Sequence, residues 1–92
     1  MHYFYILYSL KDGRFYKGYS TDIGKRFLAH KNGQTTSTKN RRPLVLIYVE
    51  SFESKGEAMA YERWSKTIEG GSKLKNQLRE QGVLDEGNKL KV

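Results

Sequence analysis

The sequence predicts an α+β domain, a small, mainly antiparallel sheet of three strands flanked by helices in the order β-β-α-β-α-α. Three observations carry that expectation. Two aromatic-rich runs, His2 to Ser9 and Arg14 to Ser20, stand either side of an Asp12-Gly13 turn signal. A later apolar run, Leu44 to Glu50, has the length of a strand and follows Pro43. Between and beyond these runs lie segments with helical spacing and recognisable caps, and strands grouped apart from helices favour α+β over a parallel α/β sheet. At 92 residues the chain has material for one core, and residues 1–82 are expected to form a single domain.

The first run, His-Tyr-Phe-Tyr-Ile-Leu-Tyr-Ser, is aromatic and β-branched with both faces apolar, which suits a central strand. If Asp12 and Gly13 are the two turn residues of a hairpin, odd positions of the first strand share a face with even positions of the second. Tyr5 and Tyr16 then point the same way. Thr21 can cap a helix whose first turn holds Asp22, and Asn32-Gly33 supplies its stop. Ile23, Phe27 and Leu28 form the packing face of that helix, while Asp22, Arg26 and His30 fall at i, i+4, i+8 on a stripe bordering it.

Gln34 to Pro43 is polar and rich in Ser and Thr, the composition of a mobile loop. The Leu44–Glu50 run is expected to be buried on both faces. Ser54-Lys55-Gly56-Glu57 matches a capping box, followed by Ala58, Tyr61, Ser65 and Ile68 as an inward face and by Gly70-Gly71 as a stop. Ser72 can cap a last helix carrying Leu74 and Leu78 and ending at Gly82. Residues 83–92 are expected to form a flexible tail, unstructured from Asp85 to Val92.

Composition narrows the function. The absence of cysteine excludes a disulfide framework, a thiolate metal site and a thiol nucleophile. Neither a basic leader with a long apolar run nor a membrane-spanning stretch is visible, so the expected setting is soluble and cytoplasmic. Seventeen Lys and Arg against ten Asp and Glu give a formal net charge of +7. That excess suits either a well-solvated surface or a polyanionic partner such as DNA or RNA. Lys17, Lys25, Arg26 and Lys31 gather near the two tyrosines, and Lys39, Arg41 and Arg42 follow in the loop, which favours the polyanion.

Tyr3-Phe4-Tyr5, then Tyr16-Lys17-Gly18 after a hairpin, then Arg26 with His30 one turn on, then Glu62 in a later helix, resembles the GIY-YIG nuclease domain. The likeness is greatest to small standalone bacterial members similar to the N-terminal nuclease domain of the UvrC excision-repair protein. It spans roughly residues 2–80. Tyr3 and Phe4 stand where the first signature has Gly and Ile, and Lys17 where the second has Ile, while both signature tyrosines remain.

The resemblance implies a metal-dependent endonuclease acting on structured or damaged DNA in repair or recombination. Phosphodiester hydrolysis needs a nucleophilic water, a proton acceptor, positive charge on the phosphoryl oxygens and help for the leaving oxygen. By resemblance Tyr16 accepts the proton, a role that requires a phenol more acidic than its usual ~10. Tyr5 shares that role or orients the water, Arg26 holds the phosphate, and His30 bonds a tyrosine or the phosphate. Glu62 is implied as ligand of one divalent cation, Mg²⁺ with Mn²⁺ as the alternative, completed by water and phosphate oxygens. The plain alternatives are amphipathic strand tyrosines, a surface arginine, a structural histidine and a Glu62–Lys66 helix pair.

Lys17, Lys25, Lys39, Arg41, Arg42, Lys66 and Lys73 are the expected nucleic-acid contacts, with Asn76 a further candidate from the resemblance. Trp64 is expected in the core, with base stacking the alternative. The limited grip of one small domain leaves room for a homodimer or partner protein. Two readings compete with the enzyme: a non-catalytic nucleic-acid-binding module of the same fold, and a basic protein-interaction module.

Overall fold

Strand β1 (His2–Ser9) takes the middle of the sheet because its side chains are apolar on both sides. Phe4, Ile6 and Tyr8 face one way, Tyr5 and Leu7 the other, and all five are buried. The computed structural model describes residues 1–91. Among these, β1 is joined in antiparallel fashion by β2 (Phe15–Ser20) on one side and β3 (Leu44–Phe52) on the other, giving three strands in the order β2-β1-β3. Helices α1 (Ile23–Lys31), α2 (Lys55–Ser65) and α3 (Ile68–Glu80) complete the β-β-α-β-α-α order, with a short 3₁₀ turn at Lys39–Arg41.

The two sheet faces carry separate cores. Phe4, Ile6 and Tyr8 pack with Leu74, Leu78 and Leu84, with Tyr48, Tyr61 and Trp64 around them. On the other face Tyr5, Leu7 and Leu44 pack with Tyr16, Ile23, Phe27 and Leu46. Trp64 is therefore the core residue expected, half-buried with its ring 5.2 Å from that of Tyr61.

The hairpin is longer than the Asp-Gly signal suggests. Ser9 N–H donates to Arg14 O (2.9 Å) and Gly13 N–H to Ser9 O (2.8 Å), so Leu10-Lys11-Asp12-Gly13 make the turn. Gly13 takes φ 71°, and the Ser9 hydroxyl accepts from the Lys11 and Asp12 amides, both at 3.2 Å. Lengthening by an even number of residues shifts partners along the strand without flipping faces. Tyr5 thus lies opposite Gly18, and Tyr16 opposite Leu7, on one face.

Several expected boundaries move. The Leu44–Glu50 run is an edge strand, and Val49 is 43% exposed. An apolar run reports strand length but not whether a second neighbour covers its flank. Asp22, not Thr21, caps α1, accepting from Lys25 N at 3.0 Å, because the Ser20 hydroxyl takes the Asp22 amide at 3.0 Å and holds it outside the helix. α2 stops at Ser65, and Thr67 rather than Ser72 caps α3, accepting from Gly70 N at 3.0 Å. Ile68 consequently opens α3 and is 95% exposed instead of facing inward.

Gly70 is no stop signal. A Cβ there would lie 2.0 Å from Trp64 O, so the glycine permits the backbones of α2 and α3 to touch. The segment after α3 is no unstructured tail either. Val83 N–H donates to Leu78 O and Lys91 N–H to Val83 O, both at 2.9 Å, and Leu84, buried in the core, bridges to Leu90. The apolar side chains of Leu84 and Leu90 outweigh the polar composition around them. Val92, the end of the expected tail, lies outside the described residues.

Gly70→Ala should lower stability by at least about 1–3 kcal/mol, because the obstructing atom is backbone and cannot rotate away. At Gly71 the nearest atom to an added Cβ is 3.4 Å away. Gly71→Ala should therefore be neutral or stabilising by up to about 1 kcal/mol through helix propensity. Urea unfolding of the two variants checks the contrast.

Candidate active site

Tyr5 is held from two sides. Its ring lies across Gly18, where an added Cβ would come within 2.5 Å of the Tyr5 hydroxyl. Its hydroxyl is 2.9 Å from His30 Nε2, and His30 Nδ1 is 2.7 Å from the Thr38 hydroxyl. This buried chain ties β1, α1 and the loop before β3 together. His30 and Thr38 are fully buried, so each needs the partner it has. A neutral imidazole serves both bonds in either tautomer, with the direction of donation reversed between them. Burial first, then the Arg26 guanidinium, pull the His30 pKa below its ordinary value and keep the ring neutral.

Tyr16 stands next to this chain. Its ring centroid is 5.0 Å from that of His30 and 6.3 Å from that of Tyr5. Tyr16 is half-buried, whereas Tyr5 is 2% exposed. Burial pushes the Tyr5 phenol well above the usual tyrosine range, the Tyr16 phenol adds to the rise, Arg26 opposes it and Glu62 adds slightly. Tyr5 therefore stays protonated at any ordinary pH. The same pattern of influence places Arg26, exposed on α1, and Glu62, on α2, within electrostatic reach of the Tyr5 hydroxyl.

Glu62 is 17% exposed and its Oε2 is 2.9 Å from Lys66 Nζ, the helix pair foreseen as its alternative. Lys66 is 57% exposed. Such an i, i+4 pair contributes only about 0.3–0.5 kcal/mol, so it leaves the carboxylate free to exchange partners. Among the described residues no group of three or more His, Asp or Glu is arranged to hold a metal. A single accessible carboxylate suits Mg²⁺, which keeps most of its water and completes its shell with phosphate oxygens. The donor set fits that ion.

A family model described as the GIY-YIG catalytic domain matches residues 1–80. The chain belongs to the GIY-YIG family. Among similar proteins, the UPF0213 protein SSP2268 of Staphylococcus saprophyticus is 48% identical over 75 residues, 80% of this chain and 90% of that protein. The UPF0213 protein YazA of Bacillus subtilis is 43% identical, covering 73% of this chain and 68% of that protein. The solution NMR structure of the UPF0213 protein BH0048 from Bacillus halodurans is similar at TM-score 0.52 and 37% identity, over 83% of each chain. The likeness to a small standalone bacterial GIY-YIG protein holds.

Around the GIY-YIG tyrosines the expected cations scatter. Lys25 lines a shallow hollow of 290 Å³ with Ser20, Asp22 and Arg26. Lys39 and Arg42 line a basic hollow of 560 Å³ together with Lys11 and Lys31. Arg41 is occupied structurally, 3.4 Å from Asp12 and donating to Phe15 O at 3.2 Å. Lys17 points to the opposite sheet face from Tyr16 and donates to Ser65 O at 2.5 Å. Lys73 pairs with Glu69 at 3.1 Å, and the Asn76 side-chain oxygen accepts from Arg79.

Two residues of this candidate site were not singled out from sequence. Thr38 sits in a polar loop where no spacing marks it as the partner of a histidine. Gly18 was visible within its tripeptide, but its use as the seat of Tyr5 depends on the register of the longer hairpin. Loop 34–43 is also less free than its composition implies, since the Ser9 hydroxyl donates to Arg41 O at 2.6 Å.

The lowered His30 pKa has a definite sign. The unfolded chain takes up the proton first, near pH 6.5, so the stability His30 contributes is complete above that value. It is lost as pH falls from there through the depressed folded value. Thermal midpoints between pH 8 and pH 5 should fall more steeply for the wild type than for His30→Gln.

Proposed function

We propose that this chain is a metal-dependent DNA endonuclease hydrolysing phosphodiester bonds of structured or damaged DNA. The observation that carries the reading is the convergence of Tyr16 on the bonded Tyr5 and His30 pair, with Arg26 and Glu62 in electrostatic reach. The family supports a nuclease-type fold, and the excess of cations supports a polyanionic substrate, DNA first and RNA as a second possibility.

In this reading Tyr16, the more exposed of the two, acts as its phenolate and takes a proton from the attacking water to become the phenol. The water oxygen bonds to phosphorus as the bond to the leaving oxygen breaks. Tyr5, kept protonated, orients the water and presents a hydroxyl dipole to the phosphate. Arg26, exposed and planar, holds the phosphoryl oxygens. His30, neutral and fixed by Thr38, holds Tyr5 at its height above Gly18. When Mg²⁺ or Mn²⁺ is bound at Glu62, it supplies positive charge against the phosphoryl and leaving oxygens. Specificity comes from nucleic-acid shape, or from a second subunit or partner protein. The reading carries with it a cytoplasmic setting and a place in repair or recombination. No helix among the described residues is long and apolar enough to cross a membrane.

The test is cleavage of labelled duplex, single-stranded, flap, bubble and four-way-junction DNA in Mg²⁺, Mn²⁺ or EDTA. Cutting should require the metal, and Glu62→Ala and Tyr16→Phe should each lose roughly 100-fold or more while retaining DNA binding. No cutting of any substrate, with salt-sensitive binding unchanged in Glu62→Ala, would replace the enzyme by a non-catalytic binding module of the same fold.

A further inference from the structure

Positive charge also gathers on the sheet face away from Tyr5. Lys17, next to Tyr16 in β2, passes to that side and is anchored on Ser65 O at the end of α2. Lys75 of α3 holds its ammonium 5.5 Å above the Phe15 ring centroid. Lys66 lies between them and Glu62. Two adjoining hollows of 410 and 520 Å³ share Lys17, Lys66 and Lys75. The first is bordered by Tyr16; the second continues along α3 past Gly71 to Arg79.

Among the described residues no carboxylate lines either hollow. Burial first, then Lys75 and Lys66, depress the Lys17 pKa; Glu62 pairs with Lys66 from outside the groove, while Lys17 and Lys75 form no ion pair with a carboxylate among the described residues. Holding like charges together in a partly desolvated groove is unfavourable until an anion enters. The positive end of the α3 dipole adds to the potential. A groove that starts at Tyr16 and runs on past several cations fits a chain of phosphates better than a single one. Lys73, paired with Glu69 and turned outward, is not part of it.

We infer that the groove formed by Lys17, Lys66 and Lys75 between β2 and α3 is a second phosphate-binding subsite, which holds the nucleic-acid backbone flanking the scissile phosphate. The inference rests on the nuclease reading for the position of that scissile phosphate. Lys75 was not among the cations that sequence pointed to, because its neighbours in the groove come from two other elements.

Binding of a fluorescent single-stranded oligonucleotide and a flap DNA is measured by anisotropy in EDTA, so that no cutting intervenes, over a series of salt concentrations. Lys75→Gln and Lys66→Gln should each weaken binding several-fold and flatten the slope of log K against log salt by about 1. Lys73→Gln should do neither. In the wild type, the amide resonances of Lys17, Gly71 and Ser72 should shift on titration with the same oligonucleotide, a readout independent of how the variants fold. Unchanged affinity and slope in both groove variants, or no shift at Gly71 and Ser72, would overturn the subsite. Metal-dependent, Glu62-dependent cutting alongside that result leaves the nuclease reading standing. Weakened binding in the groove variants beside no cutting of any substrate by the wild type overturns the nuclease reading and leaves the groove as a nucleic-acid-binding subsite.

Discussion

The Tyr5 side chain, laid across Gly18 and ending on His30, is the constraint from which the rest of this structure follows. It requires glycine at the paired position of β2, a helix that delivers a histidine to the sheet surface, and a loop that returns a hydroxyl to the far side of that histidine. Each requirement recruits a different element, so β1, β2, α1 and the segment around Thr38 are ordered by one buried chain of hydrogen bonds. Breaking any link strands a buried polar group at roughly 1–3 kcal/mol, a large share of the stability of so small a domain. The same chain fixes the height of Tyr5 beside Tyr16, and hence the geometry of the family's two signature tyrosines.

Charge is distributed to match. Arg26 of α1 lies within electrostatic reach of the Tyr5 hydroxyl, and so does Glu62 of α2. Its partner Lys66 is loosely held and borders the groove of Lys17 and Lys75. Tyr16 borders both the Tyr5–His30 pair and the hollow lined by Lys17, Lys66 and Lys75. Burial separates the two phenols: Tyr5 is kept protonated, while Tyr16 faces solvent more openly.

Much of this was legible in the residues. Element order, the central place of His2–Ser9 and the shared face of Tyr5 and Tyr16 all follow from period and parity, and parity survived a turn two residues longer than Asp-Gly implied. What escaped depends on neighbours distant in sequence. Leu44–Phe52 carries an interior composition at a sheet edge, because nothing local says which strand is flanked twice. Gly70-Gly71 looks like a stop but serves a close approach to Trp64, a contact that exists only once α2 has turned into α3. Leu84 and Leu90, isolated among polar residues, pin a segment whose average composition argues against order. Thr38 and Lys75 act through partners from other elements and leave no periodic trace.

The most direct test is the nitrogen spectrum of the His30 imidazole at neutral pH, recorded by long-range proton–nitrogen correlation. A neutral ring locked in a single tautomer, with both nitrogens hydrogen-bonded and the lock loosened in Tyr5→Phe, is the predicted result. An imidazolium, or tautomers averaging as in a free histidine, would contradict the claim that Tyr5, His30 and Thr38 form the chain on which the site is built.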